Sequence, residues 1–220
     1  MKTTQSGFTL IEITIVLVII GLLLGGVLKG QELVIQARIR NVLNDLNGAA
    51  GAIYAYQDRY RALPGDDRGA TARWSSLASG NGDGIICGTY NGTSAAATGS
   101  GIACSSGATM NDSLLLWQHL RTAGFIAGAG SDAPTNATGG ITGIQNGAFG
   151  LVGTVICTSN LPARVAASID AQLDDGILNT GSLRGAGQST ALNPAASGSA
   201  GTSGDYVDDG SQLYLVCRSI

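Results

Sequence analysis

The first feature of the chain is an apolar run near its N-terminus. Residues 8–28 comprise twenty-one positions, and Glu12 is the one charged side chain among them. A helix of that length extends roughly 31 Å at about 1.5 Å per residue, which matches the hydrocarbon core of a bilayer. The run therefore predicts a transmembrane helix over about residues 8–28. Within it, the charge of Glu12 costs on the order of 3 kcal/mol and requires a partner.

An amphipathic pattern follows the apolar run without a break. From Ile35 to Tyr60, apolar residues recur at steps of three and four, and polar residues fall mostly between them, which is the period of a helix. Pro64 and the glycine after it end the pattern, because proline disfavours helix at the preceding residue. One long helix is thus predicted from Phe8 to Ala62, and residues 8–63 form an N-terminal spine. Its apolar half requires lipid or other copies of the chain around it.

Glycines within and just after the apolar run are spaced at four residues. Gly21 and Gly25 form one such pair, and Gly26 and Gly30 form a second. This spacing is typical of helices whose backbones pack closely against one another. Glycine also weakens a helix locally, so the same residues are equally consistent with points where the spine softens.

Residues 64–220 predict a globular head of short elements separated by loops rich in small residues. Helical period with capping residues predicts two helices, and clusters of β-branched and aromatic residues predict two strands. The predicted helices lie at 111–124 and 161–173, the strands at 149–159 and 212–220, and loops at 88–109, 128–146 and 185–204. The predicted fold class is α+β, with a long helical spine and a loop-rich head that contains a small antiparallel sheet.

A specific motif lies at the start of the apolar run. Gly7 is followed by the sequence Phe-Thr-Leu-Ile-Glu, and Lys2 lies upstream. This stretch resembles the prepilin cleavage and methylation signature of type IV pilins and type II secretion pseudopilins. The resemblance implies that residues 1–7 are a leader, that a membrane peptidase cuts after Gly7, and that Phe8 becomes N-methylated. It also implies that the cationic amine of an incoming Phe8 pairs with Glu12 of a neighbouring subunit.

The resemblance extends thinly along the chain, through segments 63–67, 120–126 and 169–184. It implies a structural subunit of a type IV pilus-like filament, with no enzymatic activity, that polymerises through its N-terminal helix. The implied partners are other copies of the chain, prepilin peptidase, the inner-membrane assembly machinery and membrane lipid. The motif does not separate a pilin from a pseudopilin of a type II secretion system, so the final location is an extracellular pilus or a periplasmic pseudopilus.

A secretory signal is the alternative explanation of the apolar run, because Lys2 supplies a charged start and small residues follow the run. The mature protein would then begin near residues 26–31, or keep Met1 as a signal anchor, and the head would be a periplasmic binding or lectin-like domain. Two observations count against this alternative. Glu12 has no use inside a signal peptide, and the helical pattern continues past the supposed cut.

The head contains all four cysteines, Cys87, Cys104, Cys157 and Cys217. An even number in a domain predicted to be exported favours disulfides, since that compartment is oxidising. Of the three connectivities we favour Cys87 with Cys104, which closes a short glycine-rich loop. The second pair, Cys157 with Cys217, then joins the two predicted strands.

Charge argues against several classes of protein. Charged residues make up 12% of the chain and the net charge is −3, so no basic surface for nucleic acid is visible. Lys2 and Lys29 lie in or beside the apolar run while carboxylates lie mostly downstream, which favours a cytoplasmic N-terminus and a periplasmic head at the inner membrane.

His119, the one histidine, lies in a leucine-rich helix without a catalytic motif.

No cofactor is predicted, although two oxygen-rich segments resemble calcium ligand sets. In segment 79–86, Asn81 and Asp83 are in phase with a calcium loop, but Ser79 replaces its first carboxylate and Tyr90 its bidentate glutamate. The second segment is a cluster of aspartates near the C-terminus: Asp205, Asp208 and Asp209. This second segment is otherwise interpreted as a solvated loop.

Overall fold

The computed structural model of the protein describes residues 7, 9–92, 111–188, 191–196, 200–201 and 204–220. The chain forms two compact units, Met1–Arg38 and Ile39–Ile220. In its described residues the first unit consists mainly of the N-terminal part of one helix. The second unit contains the rest of that helix and the head.

Helix α1 (Leu10–Tyr60) is a single helix of 51 residues, which confirms the predicted long N-terminal helix. It runs through Gly21, Gly25, Gly26 and Gly30, so these glycines do not interrupt it. Among the described residues it is the one helix long and apolar enough to cross a membrane, and its apolar window is entirely exposed. The structure therefore leaves the apolar part of α1 without protein cover in a single chain.

The head combines three further helices with one antiparallel sheet. The helices are α2 (Ala70–Arg73), α3 (Asp112–Thr122) and α4 (Ala163–Leu173). The strands are β1 (Thr142–Ala148), β2 (Leu151–Pro162), β3 (Leu183–Gln188) and β4 (Leu213–Ser219), in the sheet order β1-β2-β4-β3. Helices α3 and α4, and strands β2 and β4, confirm the elements predicted at those positions.

The loop predictions for 128–146 and 185–204 are wrong where β1 and β3 form. Both strands are rich in glycine and poor in the β-branched residues that mark a strand in sequence, since β1 has only Thr142 and Ile144 and β3 has none. Their glycines are needed because other backbone lies against them: a Cβ on Gly143 would collide with the carbonyl oxygen of Tyr90, and one on Gly185 with that of Leu215. Pairing with the central strands therefore determines these two strands.

A disulfide between Cys157 and Cys217 joins the two central strands of the sheet. The two residues face each other in the β2–β4 register, and both are fully buried in one apolar cluster with Phe149 and Leu215. This is the second of the two predicted pairs. Cys104 lies outside the described residues, so its pairing with Cys87 stays a prediction.

Replacing Cys217 by serine is expected to destabilise the head. The disulfide closes a loop of 60 residues, for which the chain-entropy model gives about 4 kcal/mol. For a protein of this size, that loss lowers the melting temperature by roughly 10 °C in a thermal unfolding measurement. The matched control is the double variant with Cys157→Ser, which should lose no more than the single variant. Equal melting temperatures for native and Cys217→Ser protein would contradict the prediction.

The turn after α1 contains two buried aspartates. Asp66 is 3% exposed and Asp67 is 2% exposed. Asp66 accepts hydrogen bonds from the backbone N–H groups of Gly82 and Gly84, at 2.5 and 2.7 Å. Asp67 accepts a hydrogen bond from the Tyr56 hydroxyl at 2.7 Å and forms an ion pair with Arg73. Each buried carboxylate is thus stabilised by several donors.

His119 connects α3 to the same turn. Its Nδ1 accepts a hydrogen bond from the N–H of Gly65 at 3.0 Å, so the proton of the neutral ring lies on Nε2, which donates to the carbonyl oxygen of Ala78 at 2.9 Å. The ring is fully buried and stacks on Tyr56. Burial lowers the pKa of His119, because it disfavours the charged form. We call Tyr56, Asp66, Asp67 and His119 the polar corner.

Candidate processing and assembly site

Gly7 is exposed and lies three residues before the first residue of α1. A Cβ placed on Gly7 meets no atom within 4 Å. Packing against the described part of this chain therefore does not require glycine at position 7. Phe8 lies outside the described residues, so its cleavage and methylation stay predictions.

Thr9 and Glu12 cap the N-terminus of α1. The backbone N–H and the hydroxyl of Thr9 both donate to Oε2 of Glu12, at 2.8 and 2.7 Å. In return Thr9 Oγ1 lies 3.4 Å from the N–H of Glu12. This reciprocal arrangement is a capping box, in which a Thr and a Glu three residues later satisfy donors that the helix leaves free. The spacing of Thr and Glu is readable in the sequence, although the cleavage and methylation motif gives no role to Thr9.

The capping box uses one oxygen of the Glu12 carboxylate. Among the described residues, Oε1 of Glu12 accepts no hydrogen bond. An ionised carboxylate accepts about four hydrogen bonds, so capping leaves room for a further donor. The positive end of the helix dipole also favours a negative charge in this first turn. The site therefore holds a carboxylate that is oriented by its own chain and still able to bind a cation.

Exposed apolar side chains surround the capped end and continue for several turns. They include Leu10, Leu17, Leu22 and Leu28, all more than 60% exposed. The next charged residues, Lys29 and Glu32, form an ion pair at 2.7 Å. Between the Glu12 carboxylate and this ion pair, the exposed surface of α1 thus carries no charged residue.

The two segments compared with calcium ligand sets form internal hydrogen bonds instead. Asp83 accepts from the side-chain amide of Asn81 and from the N–H of Ile85. The structure does not gather Asp205, Asp208 and Asp209 into one cluster, since Asp208 pairs with Arg164 at 2.6 Å and Asp209 accepts backbone N–H groups of its own turn. That the protein has no cofactor, with calcium as the alternative at these segments, stays a prediction.

Among the residues that the structure describes, one other group of carboxylates converges: Asp170, Asp174 and Asp175. Each already accepts hydrogen bonds from the surrounding loop. Asp170 accepts from the Tyr206 hydroxyl, Asp174 from the N–H of Leu183, and Asp175 from the Thr180 hydroxyl. Burial raises the pKa of Asp170. The hydrogen bonds show that this cluster shapes the segment between α4 and β3.

Comparison with known proteins supports the motif. A family model described as the prokaryotic N-terminal methylation motif matches residues 2–28. No curated protein and no solved structure matches the chain significantly. The chain therefore carries the prepilin-type cleavage and methylation signal of type IV pilins and pseudopilins, which confirms the resemblance seen at Gly7 to Glu12.

The order of elements agrees with this signal. A long N-terminal helix is followed by a small antiparallel sheet of four strands, and this α+β layout is that of a type IV pilin-like fold. The motif match covers only the first part of α1, so the thinner likeness of the later segments stays a prediction.

Proposed function

We propose that this protein is a structural subunit of a type IV pilus-like filament. It is made as an inner-membrane prepilin, cut after Gly7 and methylated at Phe8, and it polymerises through the apolar part of α1. The observation that carries the proposal is the methylation motif at residues 2–28, which lies directly on an exposed apolar helix. That combination suits a subunit that is stored in lipid and later buried among identical helices.

The geometry of Glu12 supports a role in subunit registration. Cleavage before Phe8 creates a secondary amine that is cationic at neutral pH, and the free Oε1 of Glu12 is an acceptor for it. Within hydrocarbon, an uncompensated carboxylate costs on the order of 3 kcal/mol, so pairing with the amine of a neighbour favours assembly over storage in the bilayer.

The head supports export to the periplasmic side. Its buried disulfide between Cys157 and Cys217 requires an oxidising compartment to form. Lys2 on the opposite side of the apolar run favours retention of the N-terminus in the cytoplasm. The proposal therefore places the head in the periplasm before assembly and on the outside of the filament after it.

Mass spectrometry of the isolated protein tests the proposed processing. The mature chain is expected to have 213 residues, since 220 minus 7 is 213, and to begin with N-methyl-phenylalanine. A Gly7→Leu variant is the matched control, because Gly7 has no neighbour within 4 Å and its replacement leaves the fold intact. This variant should accumulate as the uncut precursor.

Other start sites contradict the proposal. A chain that begins near residues 26–31, or that keeps Met1, would instead support the signal-anchored binding domain. Electron microscopy of the same cells then distinguishes a surface pilus from a secretion pseudopilus, which remains in the periplasm.

A further inference from the structure

The head has an apolar pocket of about 270 Å³ beside helix α3. Its walls include Trp117, which is 1% exposed, and the half-buried Phe125 and Ile126. Thr142, the first residue of β1, also lines it. A cavity of about 150 Å³ already holds benzene, so this pocket has room for a branched apolar side chain.

An acidic side chain lies at the edge of this pocket. Asp45 of α1 lines it, next to Asn44 and Gly48. In the part of the chain that the structure describes, Asp45 has neither an ion pair nor a hydrogen bond, and partial burial raises the pKa of its carboxyl. The pocket therefore combines apolar walls with one uncompensated carboxylate.

The opposite end of β1 presents an apolar side chain on a tight turn. β1 ends at Ala148 and β2 begins at Leu151, and the two residues between them, Phe149 and Gly150, have φ values of 51° and 77°. Two positive φ values characterise the tight hairpin turn that matches strand twist. Phe149 is 3% exposed and anchors the turn in the core. We call residues 149–153 the hairpin tip.

Val152 in the hairpin tip is 91% exposed, the largest value among the exposed large hydrophobic residues in the described part of the chain. A cation lies beside Gly150 of the same tip: Nη1 of Arg184 is 3.2 Å from the position that a Cβ on Gly150 would occupy. Arg184 donates to the carbonyl oxygen of Gly181 and, within the described ranges, forms no ion pair. The tip thus offers an apolar side chain with a positive charge, and the pocket offers apolar walls with a negative one.

These two features cannot meet within one chain. They lie at opposite ends of β1, whose seven residues span roughly 20 Å at about 3.4 Å per residue. Between copies, however, a tip on one head and a pocket on the next form a head-to-tail contact. A contact of this kind builds an open filament when the rotation between successive copies does not close it into a ring.

We propose that, in the filament, the Val152 side chain of one copy enters the pocket beside Trp117 of a neighbouring copy, where Arg184 of the first faces Asp45 of the second. The occupant of the pocket is a second copy of this chain. The proposal rests on the proposed function, because it requires a polymer, and it adds a specific contact between heads to the contact between helices.

Charge reversal tests the contact in full-length protein expressed as the sole subunit. Asp45→Arg and Arg184→Asp are each expected to lower the yield of sheared filaments at least tenfold, since each places two like charges together. The double variant should recover at least half of the native yield, because it restores an opposite pair. The membrane pool of processed protein serves as the control for folding and should be unchanged in all three variants.

Cysteine crosslinking tests the same contact without altering charge. Gly48 lines the pocket and a Cβ on it meets no atom within 4 Å, so Gly48→Cys introduces a side chain without a clash. Combined with Val152→Cys, it should yield a ladder of disulfide-linked oligomers in oxidised filaments. Neither single variant should do so.

The outcomes separate this inference from the proposed function. If filaments form and depend on Glu12, but charge reversal leaves their yield unchanged and the cysteine pair does not crosslink, the head contact is overturned alone. Failure of the double variant to recover, together with absent crosslinks, overturns it as well. If no variant of Glu12 affects filament yield, the proposed assembly mechanism fails whatever the head variants show.

Discussion

Filaments are expected to be scarce when Glu12 is replaced by alanine or by glutamine. Either variant removes the charge that we propose binds the amine of a neighbouring Phe8. A charge-assisted hydrogen bond contributes about 1.5–3 kcal/mol, so its loss weakens the addition of each subunit by roughly 10- to 100-fold. Storage in the membrane should improve at the same time, because the carboxylate no longer has to be held in hydrocarbon. The measurement is the yield of sheared filaments against the membrane pool of processed protein.

The capping box allows the two roles of Glu12 to be separated. Glutamine retains an oxygen that accepts the N–H of Thr9, so Glu12→Gln keeps most of the cap and loses only the charge. Thr9→Ala is the matched control, since it removes the hydroxyl bond to Glu12 at a cost of about 1 kcal/mol but leaves the carboxylate in place. Filaments should therefore persist in Thr9→Ala. Normal filament yield from both Glu12 variants would remove the proposed registration role.

Replacing His119 by alanine is expected to destabilise the head by about 3–5 kcal/mol. The substitution leaves a cavity in a fully buried site. It also leaves the buried N–H of Gly65 and the carbonyl of Ala78 without their partners on the ring. Thermal or denaturant unfolding of the purified protein measures the loss. Because the polar corner contains the turn after α1, loosening of residues 63–67 should also appear in hydrogen exchange.

The stabilising effect of His119 should disappear in acid. Burial lowers its pKa in the folded state below the ordinary value of about 6.5, so its contribution is complete above pH 6.5 and is lost as the pH falls through the folded pKa. The cause is local, since a proton on Nδ1 would face the N–H of Gly65. Asp112 acts in the opposite direction, because burial raises its pKa to about 6 and its protonation favours the folded state.

The effect of His119 is separated from that of Asp112 by comparing the free energy of unfolding of native protein with that of a His119 variant at each pH. Asp112 is present in both proteins, so its contribution cancels. His119→Asn is the matched control, since asparagine offers an acceptor near the position of Nδ1 but does not titrate. At pH 7.5, His119→Asn should lose less stability than His119→Ala. As the pH is lowered from 7 to 5, the difference in free energy of unfolding between native protein and His119→Asn should become smaller. If this difference in free energy of unfolding stays constant between pH 7 and pH 5, His119 does not titrate in the way its burial implies.

The parts of the fold that were predicted correctly depend on neighbours in sequence. The long helix α1, the short helices α3 and α4, and the strands β2 and β4 each have an apolar period or a cluster of β-branched residues of their own. Strands β1 and β3 have no such pattern. Their glycine-rich residues become strands because β2 and β4 lie beside them and because other backbone lies against Gly143 and Gly185.

Most features of the candidate site could be predicted from residues that are contiguous in the sequence. Gly7 and Glu12 were found from one short motif, and the membrane span from the apolar run that follows it. The role of Thr9 was also present in the sequence, as a Thr three residues before a Glu. The motif did not reveal that Oε2 of Glu12 caps the helix while Oε1 stays free among the described residues. This depends on the side-chain conformations of Thr9 and Glu12.

The sequence by itself thus determined the processing signal, the apolar helix and the amphipathic helix that continues it, because each is encoded in successive residues whose chemistry acts locally. Only the tertiary structure decided the polar corner and the pocket beside Trp117, and it confirmed the favoured pairing of Cys157 with Cys217. These features join side chains that are tens of residues apart, such as Gly65 with His119. Their partners are selected by burial, which leaves a polar group no alternative to the donors and acceptors that packing places beside it.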